Sequence, residues 1–469
     1  MSKIVNLKTC AKTLVMLSVI AAPVAQAVAQ ANKVPAEVIA RRLANKKAKQ
    51  QTPSVATKKA KAAGVQLYGY VLSSDERDKG LYKFSSNNAA SISLVNSNVQ
   101  CYNAATYVQG TYLSSWYEET DTQVKFPIHF YEYDTSTWQM KIDKPSPELA
   151  YSAISMDLAF DPETQQVYGL FSDDDYSGTY KTLGKLVTTY WGENDYTSNS
   201  EAIGKLPESM VAITCNKSGD LYTIGRSGKL YAVNKYSGTA TVVGETGYKP
   251  FKLFQSATCD YSTGKIYWAM LDKDDWATRI IEIDPATGKG TEVCNFIDNY
   301  AYDQITGLYI KQDLTLKAVP QTVSNLSVDL TSLTSGTVKF TMPTKDVKDA
   351  ALSGSLKYTV RLNGEVAATG TAAAGAAVNT SFNTTVSGMT NVTVTAEIAA
   401  SGNTPAAVSA PVSQNVRLGY DQPKKPTGLK AAANGQNVTL TWKAPTGGVN
   451  GGFFDADKLT YTVVRVNSS

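Results

Sequence analysis

ATCDYSTGKIYWAML, residues 257–271, puts a thiol, a carboxylate, a Thr-Gly pair and a Tyr-Trp pair within fifteen residues. It reads either as a reactive cluster or as two strands and a turn. Two other stretches decide for the turn: LAFDPETQQVYGLF (158–171) and AITCNKSGDLYTIG (212–225). Each has a short apolar run, then Asp or Asn, then a polar turn, then an apolar–Tyr pair opening a second run. Aligned this way, Phe160, Cys215 and Cys259 share one slot, Asp161, Asn216 and Asp260 a second, and Tyr168, Tyr222 and Tyr267 a third. A slot that accepts Phe or Cys asks for packing, so Cys259 is expected to be a packed thiol on an inner strand.

A second hairpin follows in each unit. LYAVNKYSGTATVV (230–243) and IIEIDPATGKGTEV (280–293) carry the same Asp/Asn-x-x-Ser/Thr-Gly turn, and FYEYDTSTWQMKI (130–142) is a version without the glycine. The Asp or Asn side chain caps its own turn, and glycine takes the left-handed position before the next strand. The signature tyrosines Tyr168, Tyr222, Tyr267 and Tyr309 are 54, 45 and 42 residues apart. Four strands of about five residues with their turns need about 40–50 residues. The expected fold is therefore all-β, a β-propeller with blades over 100–143, 155–207, 209–245 and 254–297. A split blade joins DQITGLYI (303–310) to the strands of 66–95. Joining the two ends leaves no edge unpaired. Five blades are expected, six being the alternative, over a domain of 63–316.

GKIYWAMLD resembles the repeats of YWTD and quinoprotein-like propellers over single hairpins, which implies the architecture and no site. After Lys317 the composition turns to Ala, Ser, Thr, Val and Gly in alternating runs, as in a β-sandwich. KPTGLKAAANGQNVTLTWKAPTGG with LTYTVVRV, within 425–466, resembles a fibronectin type III domain through Pro426, Leu429, Trp442 and Tyr461. Residues 318–418 look like a divergent copy with Phe340 and Tyr358 in the Trp and Tyr positions. The second copy, 422–469, is shorter than the ~100 residues such a sandwich uses, so an incomplete domain in a fragment of a longer chain is expected. Leader, propeller and fibronectin-like modules together are similar to secreted multidomain surface proteins of Bacteroidetes-type bacteria. That similarity implies cell-surface attachment through a region beyond this chain.

Lys3, Lys8 and Lys12 precede the apolar run TLVMLSVIAAPVA and the small-residue sites of AQAVAQA, the pattern of a signal peptide over 1–31. No other stretch is apolar enough for a transmembrane segment. Of the net charge of +4, the leader carries +3 and the basic linker 32–62 carries +8, leaving −7 for the rest. An exported, mildly acidic body is no partner for nucleic acid. Cys101, Cys215, Cys259 and Cys294 remain after the leader. Cys215 and Cys259, in equivalent slots of adjacent units, are the candidate disulfide.

His129 is the sole histidine, and it lies in an alternating run. No Gly-x-Ser-x-Gly, His-Glu-x-x-His, phosphate loop or Cys-x-x-Cys is present, so no catalytic residue, metal ligand or cofactor is assigned. The connections opposite the regular turns are irregular and rich in Trp, Tyr, Asp and Glu. Loops on a rigid scaffold are where binding sits. Trp116, Tyr117, Glu118, Asp174, Asp175, Tyr176, Asp274, Asp275, Trp276, Tyr300 and Tyr302 are the candidate ligand-binding residues. Aromatic faces with carboxylate acceptors suit a glycan or a basic peptide. The expected function is a secreted or cell-surface binding or adhesion protein, with a polysaccharide hydrolase or lyase and a structural surface component as the alternatives.

Overall fold

The computed structural model describes residues 64–464, apart from 75–76, 119–125, 148–150, 173–178, 193–194, 253–254 and 297–302, together with the isolated positions Glu37 and Ala40. The leader and nearly all of the basic linker lie outside the described residues. The chain divides into two compact units after Thr315.

The first unit is built from four-stranded antiparallel sheets. β1 (Gln66–Ser73), β2 (Gly80–Ser85) and β3 (Asn88–Asn96) open the chain. β4 (Ala105–Val108), β5 (Thr111–Trp116), β6 (His129–Asp134) and β7 (Met140–Pro145) form the next sheet. β8 (Ser155–Asp161), β9 (Gln166–Phe171), β10 (Thr182–Gly192) and β11 (Asp195–Lys205) form another, as do β12 (Met210–Cys215), β13 (Leu221–Gly225), β14 (Lys229–Val233) and β15 (Ala240–Glu245). β16 (Ser256–Cys259), β17 (Ile266–Leu271), β18 (Thr278–Ile283) and β19 (Gly290–Asn295) follow. The last strand, β20 (Gln304–Tyr309), pairs with β1, so the first sheet runs β20-β1-β2-β3 and joins the two ends of the unit.

Burial explains the sequence of each strand. β8, β12, β16 and β20 are buried along their whole length, and β3, β15 and β19 are largely solvated. An inner strand covered on both faces must be nearly continuous in apolar residues, whereas an outer strand alternates. The five inner strands are neighbours in a cycle, β20 to β4, β8, β12, β16 and back to β20. The short turns behave as the Asx pattern requires. Asp260 accepts hydrogen bonds from Ser262 N (2.9 Å) and Thr263 Oγ1 (2.8 Å), while Gly264, at φ 74°, donates from its N–H to Asp260 O.

In the second unit, β21 (Ser324–Leu330), β22 (Ser335–Thr341), β23 (Ser355–Leu362), β24 (Glu365–Ala373), β25 (Ala377–Asn383), β26 (Gly388–Ile398), β27 (Ala407–Val408) and β28 (Val412–Leu418) form two sheets. One is ordered β21-β22-β25. The other is β24-β23-β26-β27, with β28 also on β26. Val338, Phe340 and Phe382 from the first sheet and Tyr358, Val360 and Val394 from the second share one core. Phe340 and Tyr358 meet edge to face at 5.2 Å. β29 (Thr427–Asn434) and β30 (Asn437–Lys443) make a separate hairpin whose Leu429 and Val438 are exposed, and Trp442 packs on Tyr461 at 5.1 Å.

Candidate functional site

The Asx turns join first to second and third to fourth strands, so the long connections leave from the other end of each sheet. Trp116 stands there, at the end of β5, paired across the ladder with His129 of β6. The two rings are 5.9 Å apart, and His129 stacks on Tyr131 at 5.4 Å and 14°. Trp116, His129 and Tyr131 share one face of the sheet, Trp116 and His129 partly exposed. Asp143 Oδ1 lies 2.8 Å from His129 Nδ1. Tyr117 is buried against Tyr102 at 4.4 Å, and Glu118 is exposed.

In the β17–β18 connection Asp274 is exposed, and Arg279 donates from Nη2 to Asp275 Oδ2 at 3.0 Å. Arg279 also lies 3.3 Å from Asp272 Oδ2. Trp276 is only 5% exposed, packs on Phe251 at 4.4 Å, and holds φ 58°. The two aromatic–acidic connections thus differ: Trp116 and His129 present ring surface, while Trp276 is an anchor of its own loop. Asp174, Asp175, Tyr176, Tyr300 and Tyr302 lie outside the described residues.

The inner strands carry polar groups that the apolar pattern hides. Asp157, in SMDLAFD of β8, is fully buried. Its Oδ2 accepts from Ile213 N of β12 (3.0 Å) and Ala257 N of β16 (3.1 Å), and its Oδ1 from Ser256 Oγ (2.8 Å). Ser256 Oγ in turn accepts from Leu308 N of β20 at 2.9 Å. Thr306 Oγ1 donates to Tyr102 O (3.2 Å), and Thr106 Oγ1 of β4 accepts from Phe160 N (3.2 Å). These bonds tie β12, β16 and β4 to β8, β20 to β16, and β20 to the segment just before β4. Burial pushes the Asp157 carboxyl well above the usual range against the pull of its hydrogen bonds. One signal of this hub was present in the sequence, an Asp between Met156 and Leu158 in the middle of a strand.

At the long-connection end of the inner strands, buried polar atoms without a hydrogen-bond partner among the described residues include Asn103 Oδ1 before β4, Ser155 Oγ at the start of β8, and Gln304 Nε2 at the start of β20. Native interiors leave few such groups unsatisfied without a water or ligand. Toward the short-turn end the same strands enclose a cavity of about 30 Å³, lined among others by Thr106, Thr214, Cys215, Thr258 and Cys259. That volume suits one or two waters and no sugar ring.

Among the described residues Cys101, Cys215, Cys259 and Cys294 form no disulfide, so the Cys215–Cys259 bridge is not formed here. Burial pushes Cys101 and Cys259 up to about 12 and Cys215 well above the ordinary value. Lys235, in the β14–β15 turn, reaches the neighbouring sheet. Its Nζ is 2.6 Å from Asp161 Oδ2 and 2.6 Å from Glu163 Oε2. Burial would lower its pKa, and the carboxylates of Asp161 and Glu163 overcome that and hold it raised. Among the described residues no group of three or more His, Cys, Asp or Glu is placed to hold a metal ion, and no helix is long and apolar enough to cross a membrane.

No family model matches the chain. No curated protein matches it either. Solved structures resemble it weakly. Apo AztD from Citrobacter koseri has a TM-score of 0.24 at 11% identity over 52% of this chain and 59% of that one. A structural-genomics protein of unknown function from Bacteroides thetaiotaomicron has a TM-score of 0.29 at 12% identity over 60% of each chain. Hydrazine synthase from Kuenenia stuttgartiensis has a TM-score of 0.26 at 10% identity over 74% of this chain and 75% of that one. The chain spans about three fifths of the length of the first two. Likenesses this weak assign it neither an activity nor a site.

Proposed function

We propose that the five sheets are blades of a five-bladed propeller, that the second unit is a fibronectin type III-like spacer, and that this exported protein binds an extracellular glycan at the long-connection end. The cyclic order of the inner strands and the pairing of β20 with β1 support the propeller. The pairing of β22 with β21 and β25, opposite the sheet of β23, β24, β26 and β28, supports the spacer. The observation that carries the function is the pair of partly exposed rings Trp116 and His129, backed by buried Tyr131 and beside Asp143. Ring faces offer flat apolar area to the C–H face of a sugar, and the carboxylate and imidazole at the edge bond its hydroxyls. The unsatisfied Asn103, Ser155 and Gln304 at the same end of the inner strands add polar demand there.

A glycan array probed with the whole chain tests this. Binding to at least one glycan is expected, with Trp116→Ala weakening it by about tenfold at an unchanged thermal midpoint. An array with no bound glycan, or binding indifferent to Trp116→Ala, refutes the reading. Capture of basic peptides alone would transfer the site to a peptide ligand, and release of reducing sugar would transfer it to a hydrolase or lyase.

A further inference from the structure

Between neighbouring sheets the outer strands meet the next turn at a recurring place. The Cα of Gly204 in β11 lies 2.7 Å from where a Cβ on Gly238, in the β14–β15 turn, would stand. Gly244 of β15 and Gly288 of the β18–β19 turn repeat the contact at 2.7 Å. Backbone thus touches backbone, and these two joints are closed by glycine on both sides. Gly204 pairs with Leu183 and Gly244 with Leu230, each directly before a bulge. In the β20-β1-β2-β3 sheet the same register position, opposite Leu81 and before a bulge, is Asn96.

The facing turn departs too. Trp138 takes the glycine position of the Asp134 turn. It donates from its N–H to Asp134 O as Gly238 does to Asn234 O, and holds φ 59° where Gly238 holds 73°. A bulky residue in the left-handed region is uncommon and strained. Here the strain places an indole where the two glycine-closed joints have no side chain.

A groove of about 260 Å³ lies between this sheet and the β4–β7 sheet, at the short-turn end beside Trp138. Tyr68 and Trp138 line it with partly exposed rings, Tyr68 stacked on buried Tyr309 at 4.9 Å and 16°. Lys83 and Lys311 are exposed on its walls. Neither side chain has an ion pair or hydrogen bond among the described residues, and no carboxylate lines the groove. The hydroxyl of Tyr309, itself 1% exposed, has no hydrogen-bond partner. The adjacent groove, between the β4–β7 and β8–β11 sheets, is a control for mere bad fit. It holds about 230 Å³, its cation Lys144 is paired to Glu132 at 2.5 Å, and no aromatic residue lines it.

We propose that the groove between Trp138 and Tyr68 is a second binding site, built for one acidic sugar unit, a uronic acid or its sulfated equivalent. The two rings take the apolar C–H face of a pyranose. The lysines, cationic in a body of net negative charge, take its anionic group. The volume lies below the range of drug-sized sites and suits a single ring. The site sits at the opposite end of the β4–β7 sheet from Trp116 and does not rest on the glycan reading of that end.

Titration calorimetry of the full chain with trigalacturonate and with the matching neutral trisaccharide tests it. Binding of the acidic sugar is expected, weakening as salt rises from about 50 to about 300 mM, with the neutral one about tenfold weaker. The double variant Lys83→Gln/Lys311→Gln, at exposed positions, should lower affinity by about tenfold. Trp138→Gly, which restores the residue of the sister turns, should abolish binding with a thermal midpoint that is unchanged or higher. Trp116→Ala should leave this binding intact, so the two sites fail separately. No heat at millimolar sugar, equal binding of the neutral trisaccharide, or binding indifferent to the lysine substitutions overturns the proposal. Benzoate binding as tightly as the uronate overturns the sugar assignment.

Discussion

Asp157 is the residue on which the inner strands converge, and its behaviour can be tested without knowing the ligand. Asp157→Ala would strand the buried N–H groups of Ile213 and Ala257, at a cost of about 1–3 kcal/mol each, read by urea unfolding. Asp157→Asn keeps an acceptor and carries no charge, so it should cost less. The pH profile follows from the direction of the shift. Because the folded pKa is raised, the contribution is fully present below the unfolded value near ~3.9 and is lost as pH rises through the folded value. Asn at 157 should flatten that decline. Asp260 works with the opposite sign. Burial opposes, but the hydrogen bonds from Ser262 and Thr263 prevail and lower its pKa, so its contribution is present above ~3.9 and lost in acid. At the same scale, native Cys101, Cys215 and Cys259 should resist alkylation at pH 8 and label fully in denaturant, because burial holds all three thiols well above their ordinary value and leaves almost no thiolate. Rapid labelling of the folded chain would contradict their burial.

Turns and joints carry the information at the scale of elements. The repeat in the sequence marked Asp260, Asn234 and Asp284 as caps, and it did so because an Asx turn is local physics, complete within five residues. It also marked FYEYDTSTWQM as a turn without glycine. Only the fold shows what that exception does, since Asn96 comes from a strand more than forty residues away. Lys235 is a similar case. From the sequence it reads as a polar turn residue, yet it bridges two sheets to Asp161 and Glu163 with 8% of its side chain exposed. Lys235→Met should cost about 3–5 kcal/mol, because Asp161 is left buried and uncompensated. Urea denaturation of that variant, with Asp161→Asn/Lys235→Met as the rescue, measures it.

As a whole molecule the chain has two units with separate hydrophobic cores. Two calorimetric transitions are therefore expected, and Val360→Ala, in the second core, should shift only one of them. A single cooperative transition that moves as one with Val360→Ala would contradict this. Strand type, turn positions and the split sheet were all legible in the sequence, because period-2 burial and Asx-Gly turns are written in neighbouring residues. The candidate loops were legible as compositions, but composition does not distinguish the partly exposed Trp116 from the buried Trp276. What the sequence by itself determined is the all-β order of hairpins and the change of character after Lys317. The tertiary structure alone decided the Asp157 hub, the thiols that share a cavity unbridged, and the lysine-flanked groove at Trp138. Each of these depends on which distant strands become neighbours, and long-range packing sets that where local propensity does not.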